Sequence, residues 1–426
     1  MTLDEQVSRS PAGCPVLEGF DPLVPAQVTD PYPWYDRARD ECPVFLIPRY
    51  GLYCVTRYAD AVPVLRDPAL FSSSSSTDYV RPPMPPEIVA EVGEGYASAL
   101  ELSMVVKDPP EHTRLRKLLN RPLTAKALAV REPRLREIAN RLVDGFAHAG
   151  RTDLMGSFAS PFIVTGITDL FGVPQDSGMD WRAYTVAVHA VLSGGLPEDA
   201  MLAQWKTLTS MDRWIKEFVA ARRADPQDDL TSQLVHSTTE DGEPQLTDTE
   251  VWAALGALIG AGADTTAVLL CHLIHQLDRN PDVYAEIRAD RSLIPAAIEE
   301  ALRHQGAAGG VIRFTTADTV IGGIPIAEGS KVYVPLKSLN RDPEVFDDPE
   351  RFDIHRPNLK QHMALGTGVH TCIGAHYGRL EARVGMEVLL DRLPDLRVCV
   401  DQGPLEYTSA FTLPALRKLD VEWDPR

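Results

Sequence analysis

The chain lacks the opening that a secreted protein needs. It begins MTLDEQVSRS, polar and acidic, where a leader would show a basic end followed by an apolar stretch. A cytoplasmic protein is the expectation. Nor does any uncharged apolar run approach the ~20 residues that cross a bilayer. The richest candidate, Val251 to Leu277, is interrupted by Asp264 and two histidines, so no membrane anchor is expected. Cysteine is scarce: the six present (Cys14, Cys42, Cys54, Cys271, Cys372, Cys399) form no C-x-x-C pair and no zinc-finger spacing. That pattern suggests neither a disulfide framework nor a structural zinc, and each thiol has to be read on its own. Positive charge is also short, with 42 Lys and Arg against 60 Asp and Glu and a formal net charge of -18. Phosphate backbones need net or clustered positive charge, so nucleic acid is excluded as a partner. Repeats and Gly/Ser linkers are missing as well. Residues 18–426 therefore read as a single domain with unequal lobes behind a loose tail of residues 1–17.

What is present is a large core: 44% of the side chains are apolar and 24% charged. Pro43 to Tyr58 reads as strand, turn at Gly51, strand. From Glu111 to about Leu302 the pattern is mainly helical, with apolar faces such as Leu135, Ile138, Leu142 and Val143. The longest helix opens at Thr247, where Thr247-x-x-Glu250 has capping-box spacing, and ends near Asn280, ahead of Pro281. Strands return from Val311 around Gly322, Gly323 and Gly329, a last long helix begins just past Cys372, and further strands fall at Leu396–Val400 and near Val421. The fold class is mainly α with a smaller β portion.

The most informative segment is Leu365-Gly-Thr-Gly-Val-His-Thr-Cys372-Ile-Gly374. Its three glycines let the backbone approach something closely, and a cysteine ahead of a helix meets free N–H groups that favour thiolate over thiol. Thiolate is the form that ligates iron. A lone cytoplasmic cysteine is usually a small buried hydrophobe, and the other five keep that reading. A dinucleotide loop fits poorly, because Thr371 stands where Gly366-x-Gly368-x-x-Gly would need its last glycine.

A second segment, Ala261-Gly-Ala-Asp264-Thr265-Thr266, puts an acid and an alcohol into an apolar helix, which is costly unless they are used. Ala257, Ala261 and Thr265 are spaced by four on one face. Glu300-x-x-Arg303 pairs acid and base at i,i+3, ahead of Asp348-Pro-Glu-Arg351-Phe. His112 and Arg116 lie at i,i+4, able to reach one anion together.

Taken in this order, these motifs resemble the cytochrome P450 family, and the resemblance covers nearly the whole chain. It implies the cytochrome P450 fold, with a long central helix over a heme b (iron protoporphyrin IX) whose iron is held by Cys372. Gly366 and Gly374 would belong to the heme loop, and His112, Arg116, Arg313 and His370 would clamp the heme propionates. Asp264 and Thr265 would deliver protons during oxygen activation. Ala257, Ala261, Val311 and Phe411 would line the substrate pocket. Glu300, Arg303 and Arg351 would lock the core.

The implied activity is a monooxygenase that places one atom of O2 into a small or medium-sized apolar organic substrate, by hydroxylation, epoxidation or oxidative dealkylation. Electrons would come from a ferredoxin and its ferredoxin reductase, docked near Arg114, Lys117 and Arg121. A heme-thiolate enzyme that rearranges or uses peroxide, and a non-catalytic heme sensor, are the alternatives; the Asp264-Thr265 pair speaks against both. The chain departs from the family at Leu365, where an aromatic residue is usual, and at Gln305–Gly310, which lacks the usual prolines. Substrate selectivity falls to Ser72–Met104, Phe158–Trp205 and the turn around Phe411.

Overall fold

The computed structural model describes residues 13–74, 76, 84–93, 96–193, 196–393, 395–408, 410 and 412–424. In chain order, the helices that bear on function are α1 (Tyr32–Glu41), α2 (Glu111–Asn120), α3 (Glu132–Phe146), α4 (Ser160–Leu170), α5 (Trp181–Ser193), α6 (Glu198–Ala224), α7 (Asp248–Arg279), α8 (Ile294–Gln305), α9 (Leu336–Leu339) and α10 (Ala375–Arg392). The strands are β1 (Val44–Ile47), β2 (Leu52–Val55), β3 (Phe71–Ser72), β4 (Arg151–Asp153), β5 (Val311–Thr315), β6 (Thr319–Ile321), β7 (Ile324–Ile326), β8 (Lys331–Val334), β9 (Arg397–Val398) and β10 (Asp420–Glu422). Two compact units share them. One comprises Met1–Val80, Arg279–Cys372 and Leu405–Arg417; the other Arg81–Asp278, Ile373–Pro404 and Lys418–Arg426.

The first unit is built on a five-stranded sheet of order β1-β2-β8-β5-β3, in which only β2 and β8 run parallel. The hairpin β1–β2 closes where the sequence places its glycine, with Gly51 at φ 60° and Val44 facing Val55. Every residue of β1 and β2 is buried, because both faces of the sheet are covered. The two-residue strand period divides them cleanly. Val44, Leu46, Tyr53 and Val55 join Val332 and Val334 in one apolar layer. Phe45, Ile47, Leu52 and Cys54 join Ile312 and Tyr333 in the other.

Of the tail predicted from sequence, residues 1–12 lie outside the described residues. Its last residues are anchored: Val16 bridges Leu46 in parallel, Pro15 O accepts from Leu46 N at 2.9 Å, and Leu17 is buried. Leu17 packs into the layer of Phe20 and Tyr35, which is why this stretch does not stay loose.

The second unit is helical, with a small sheet of order β4-β10-β9. Strand β4 interrupts what the sequence presents as continuous helix; three residues are too few to carry an alternating pattern. Helix α7 begins at the capping box read from sequence: Thr247 Oγ1 accepts from Glu250 N at 3.2 Å and Glu250 Oε2 accepts from Thr247 N at 2.8 Å. By length and composition it could cross a membrane, yet 78% of its most apolar window is buried within the protein, as in a core helix. Glycines let its neighbours come close. A Cβ on Gly256 would lie 2.4 Å from the Ala99 Cβ, and one on Gly385 of α10 would lie 3.1 Å from Leu270.

Candidate active site

In the sheet-bearing unit, the loop Leu365–Cys372 is folded by its own backbone. Gly366 N donates to Met363 O and Cys372 N donates to Leu365 O, both at 2.8 Å. Gly366 and Gly368 hold φ of 68° and 73°, a region that costs an L side chain about 1–2 kcal/mol. Gly368 is constrained twice over, since a Cβ there would sit 2.7 Å from Leu65 O. Arg66 Nε donates to Thr367 Oγ1 at 3.2 Å, fixing the loop to the chain before β3. The result is a cysteine whose thiol is left uncovered by protein. Cys42, Cys54, Cys271 and Cys399 are buried and Cys14 half-buried, whereas Cys372 is exposed. Four residues thus match the bland reading, and the thiol singled out by the glycines is the accessible one.

His370 is half-buried in the same loop, and Gly374 is the N-cap residue of α10. Arg313 is buried in β5 opposite Val332, its Nη1 donating to Ile312 O at 2.8 Å. Val311, half-buried, faces Val334 in the same ladder. Gly310 must remain glycine, because a Cβ would meet the Tyr333 ring at 2.4 Å and Val334 O at 2.6 Å. Phe411 lies outside the described residues, as do parts of the Ser72–Met104 segment.

Glu300 and Arg303 pair as the spacing predicts: Arg303 Nε and Nη2 donate to the two carboxylate oxygens of Glu300 at 2.7 Å each. The third arginine is not the one chosen from sequence. Arg351 is 67% exposed at its side chain, with Asp353 at 3.9 Å its nearest acid, and contributes its backbone oxygen. Arg356 takes the place, donating from Nε to Glu300 Oε1 at 3.1 Å. It also reaches Asp348 O at 2.6 Å, across a residue at φ 45°. Asp353 N completes the carboxylate at 2.7 Å. Five residues after Arg351 in the same Pro-rich stretch, Arg356 carried no periodic signal that would have favoured it.

In the helical unit, His112 is buried on α2 and Arg116, one turn on, is half-buried. On α7, Ala257 and Asp264 are buried, Ala261 is exposed and Thr265 half-buried. A surface of small residues thus opens in the middle of an otherwise buried helix. Thr265 Oγ1 donates to Ala261 O at 2.9 Å, a back-bond to the preceding turn. Asp264 points to α5. Its Oδ1 accepts from Thr185 Oγ1 at 3.3 Å, and its Oδ2 lies 3.1 Å from His189 Nδ1. The imidazole approach falls outside hydrogen-bond alignment, so the contact is one of proximity. Thr185 and His189, one turn apart on α5, were missed from sequence; a histidine inside the apolar run Tyr184–Leu192 was the available sign. Gly378 of α10 comes within reach of the next residue, its Cβ position 3.2 Å from Thr266 Oγ1.

The donor set fits a heme. In the sheet-bearing unit the exposed thiol of Cys372 suits iron and buried Arg313 suits a carboxylate; in the helical unit buried His112 suits a carboxylate as well.

The cytochrome P450 family model matches residues 198–414. Cytochrome P450 107B1 of Saccharopolyspora erythraea is 35% identical over 410 residues, covering 96% of this chain and 98% of the relative. The cytochrome P450 monooxygenase PikC of Streptomyces venezuelae is 36% identical over 400 residues, covering 92% and 91%. Among solved structures, cytochrome P450 CREJ in complex with (4-ethylphenyl) dihydrogen phosphate superposes with a TM-score of 0.87 at 28% identity, covering 95% of this chain and 99% of that one.

Proposed function

The chain belongs to the cytochrome P450 family of heme-thiolate monooxygenases, and from that premise we propose that Cys372 would hold the iron of its heme b. The observation that carries this is the exposed thiol on a loop in which Gly366 and Gly368 hold positive φ and Gly368 leaves no room for a Cβ. When bound, the heme supplies the redox chemistry that splits O2 and leaves one oxygen atom in the substrate.

The chain's own residues then have distinct tasks. Cys372 would bind the iron through its sulfur. His112, Arg116, Arg313 and His370 offer donors to the two propionates, and Gly366 and Gly374 keep the loop backbone close. Asp264, a buried carboxylate group that accepts from Thr185 of α5, would relay protons, and Thr265 would pass them on from a hydroxyl that can turn away from Ala261 O. The exposed Ala261, with Ala257 one turn before it, supports an apolar lining for a small or medium-sized organic substrate, to which the family resemblance adds Val311. Hydroxylation, epoxidation and oxidative dealkylation are all within the reach of such a site. Glu300, Arg303 and Arg356 are structural. Enzymes of this family draw O2 and electrons from outside, and a ferredoxin with its reductase is the donor we assign.

Thr265→Ala tests the proton assignment. NAD(P)H consumption driven by a surrogate ferredoxin and reductase should continue while the share of electrons recovered as hydrogen peroxide rises several-fold. An unchanged peroxide share would remove Thr265 from proton delivery.

A further inference from the structure

A buried ammonium in the sheet-bearing unit has no part in the oxygenase reading. Lys337, on α9 just after β8, is only 6% exposed. Among the described residues it has neither ion pair nor hydrogen bond; its contact is with the face of Tyr407, whose centroid lies 5.6 Å from Nζ. The acids that follow it in the chain are committed elsewhere. Asp342 accepts from Tyr58 N at 2.8 Å and Glu344 N at 3.0 Å, and Glu350 takes Arg341. Burial, with the like charge of Arg341 second, pushes the Lys337 ammonium down to about 8.

Lys337 also lines a cavity of about 20 Å³, counted as room for the centres of water-sized groups, together with Phe20, Pro31, Tyr35, Tyr333 and Ala410. That is space for one small occupant. The lining also includes Gln27 beside Tyr35 and Tyr333, so polar groups stand near the ammonium, but no acid among the described lining residues does. A buried cation is stabilised by an opposite charge in contact, provided that polar neighbours complete the anion's remaining contacts. We propose that the Lys337 cavity is a binding site for a compact monoanion of the size of chloride or formate. The site stands apart from the heme assignment, and either can fail alone.

The holoenzyme's unfolding midpoint, followed by circular dichroism at pH 7, tests it as sodium gluconate is replaced by chloride or formate at constant ionic strength. The midpoint should climb by a few degrees over about a hundredfold rise in anion, as for any ligand that binds only the folded state. Lys337→Met should start higher in gluconate and stay flat. An equal climb in Lys337→Met, or a flat response in the native protein, overturns the site. Broadening of the chloride-35 resonance gives a second reading: formate should displace it in the native protein, and Lys337→Gln should lack it. Broadening that is the same in Lys337→Gln would also overturn the proposal.

Discussion

Glu300 shows how a single carboxylate organises a region. Fully buried, it receives Arg303 on both oxygens, with Arg356 and Asp353 N added on Oε1, so four hydrogen bonds converge on one charge. Removing Arg356 strands part of that charge, and breaking a buried pair typically costs about 3–5 kcal/mol. Arg356→Leu should therefore lower stability by roughly that amount. Arg351→Leu, which removes an exposed side chain, should stay within about 0.5 kcal/mol. Urea denaturation of the two variants decides between them, and equal losses would return Arg351 to the buried network.

The sequence distinguished the pair Glu300–Arg303 because i,i+3 spacing on a helix forces adjacency. It could not distinguish Arg351 from Arg356, since the stretch between them has no regular period and its geometry is set by carbonyls, which every residue carries. Thr185 and His189 were hidden for a related reason: their role depends on where Asp264 of a distant helix points.

At the scale of elements, α2 divides its polar residues by direction. His112 and Arg116 share one face with buried Leu115 and Leu119. Arg114 is not available to a partner, as the sequence reading had it, because it pairs with Glu250 and donates to Gln245 O at 3.1 Å. Glu250 thereby serves twice, capping α7 and holding α2. Lys117 and Arg121 are exposed and unshared by that arrangement. On a protein of net charge -18, they are the part of the predicted patch left to meet an acidic electron donor. Lys117→Glu with Arg121→Glu should raise several-fold the ferredoxin concentration giving half-maximal NAD(P)H consumption, more at low salt than at high. Unchanged kinetics at both salt levels would detach this helix from donor binding.

The element boundaries of α7, the β1–β2 hairpin and α10 were legible because each is marked by chemistry at its end: a capping box, a glycine at positive φ, a glycine loop. β4 was not, because its pairing comes from β10, more than 260 residues away, as the register Val421 to Thr152 shows.

For the whole molecule, it was the order of motifs along the chain, not composition, that pointed to a family. The apolar layers on either side of the first sheet were readable from strand alternation only once both faces were known to be covered. The lining of the substrate pocket was the least legible part, since loops carry little periodicity and Phe411 lies outside the described residues.

The central claim is that Cys372 holds the heme iron as thiolate. The most direct measurement is the absorption spectrum of the purified, dithionite-reduced protein with and without carbon monoxide, taken for the native chain and for Cys372→Ser. The account predicts the strongly red-shifted carbonyl band of thiolate ligation in the native protein and its loss in the variant. A carbonyl band typical of histidine ligation, or a thiolate band that survives in Cys372→Ser, would contradict it.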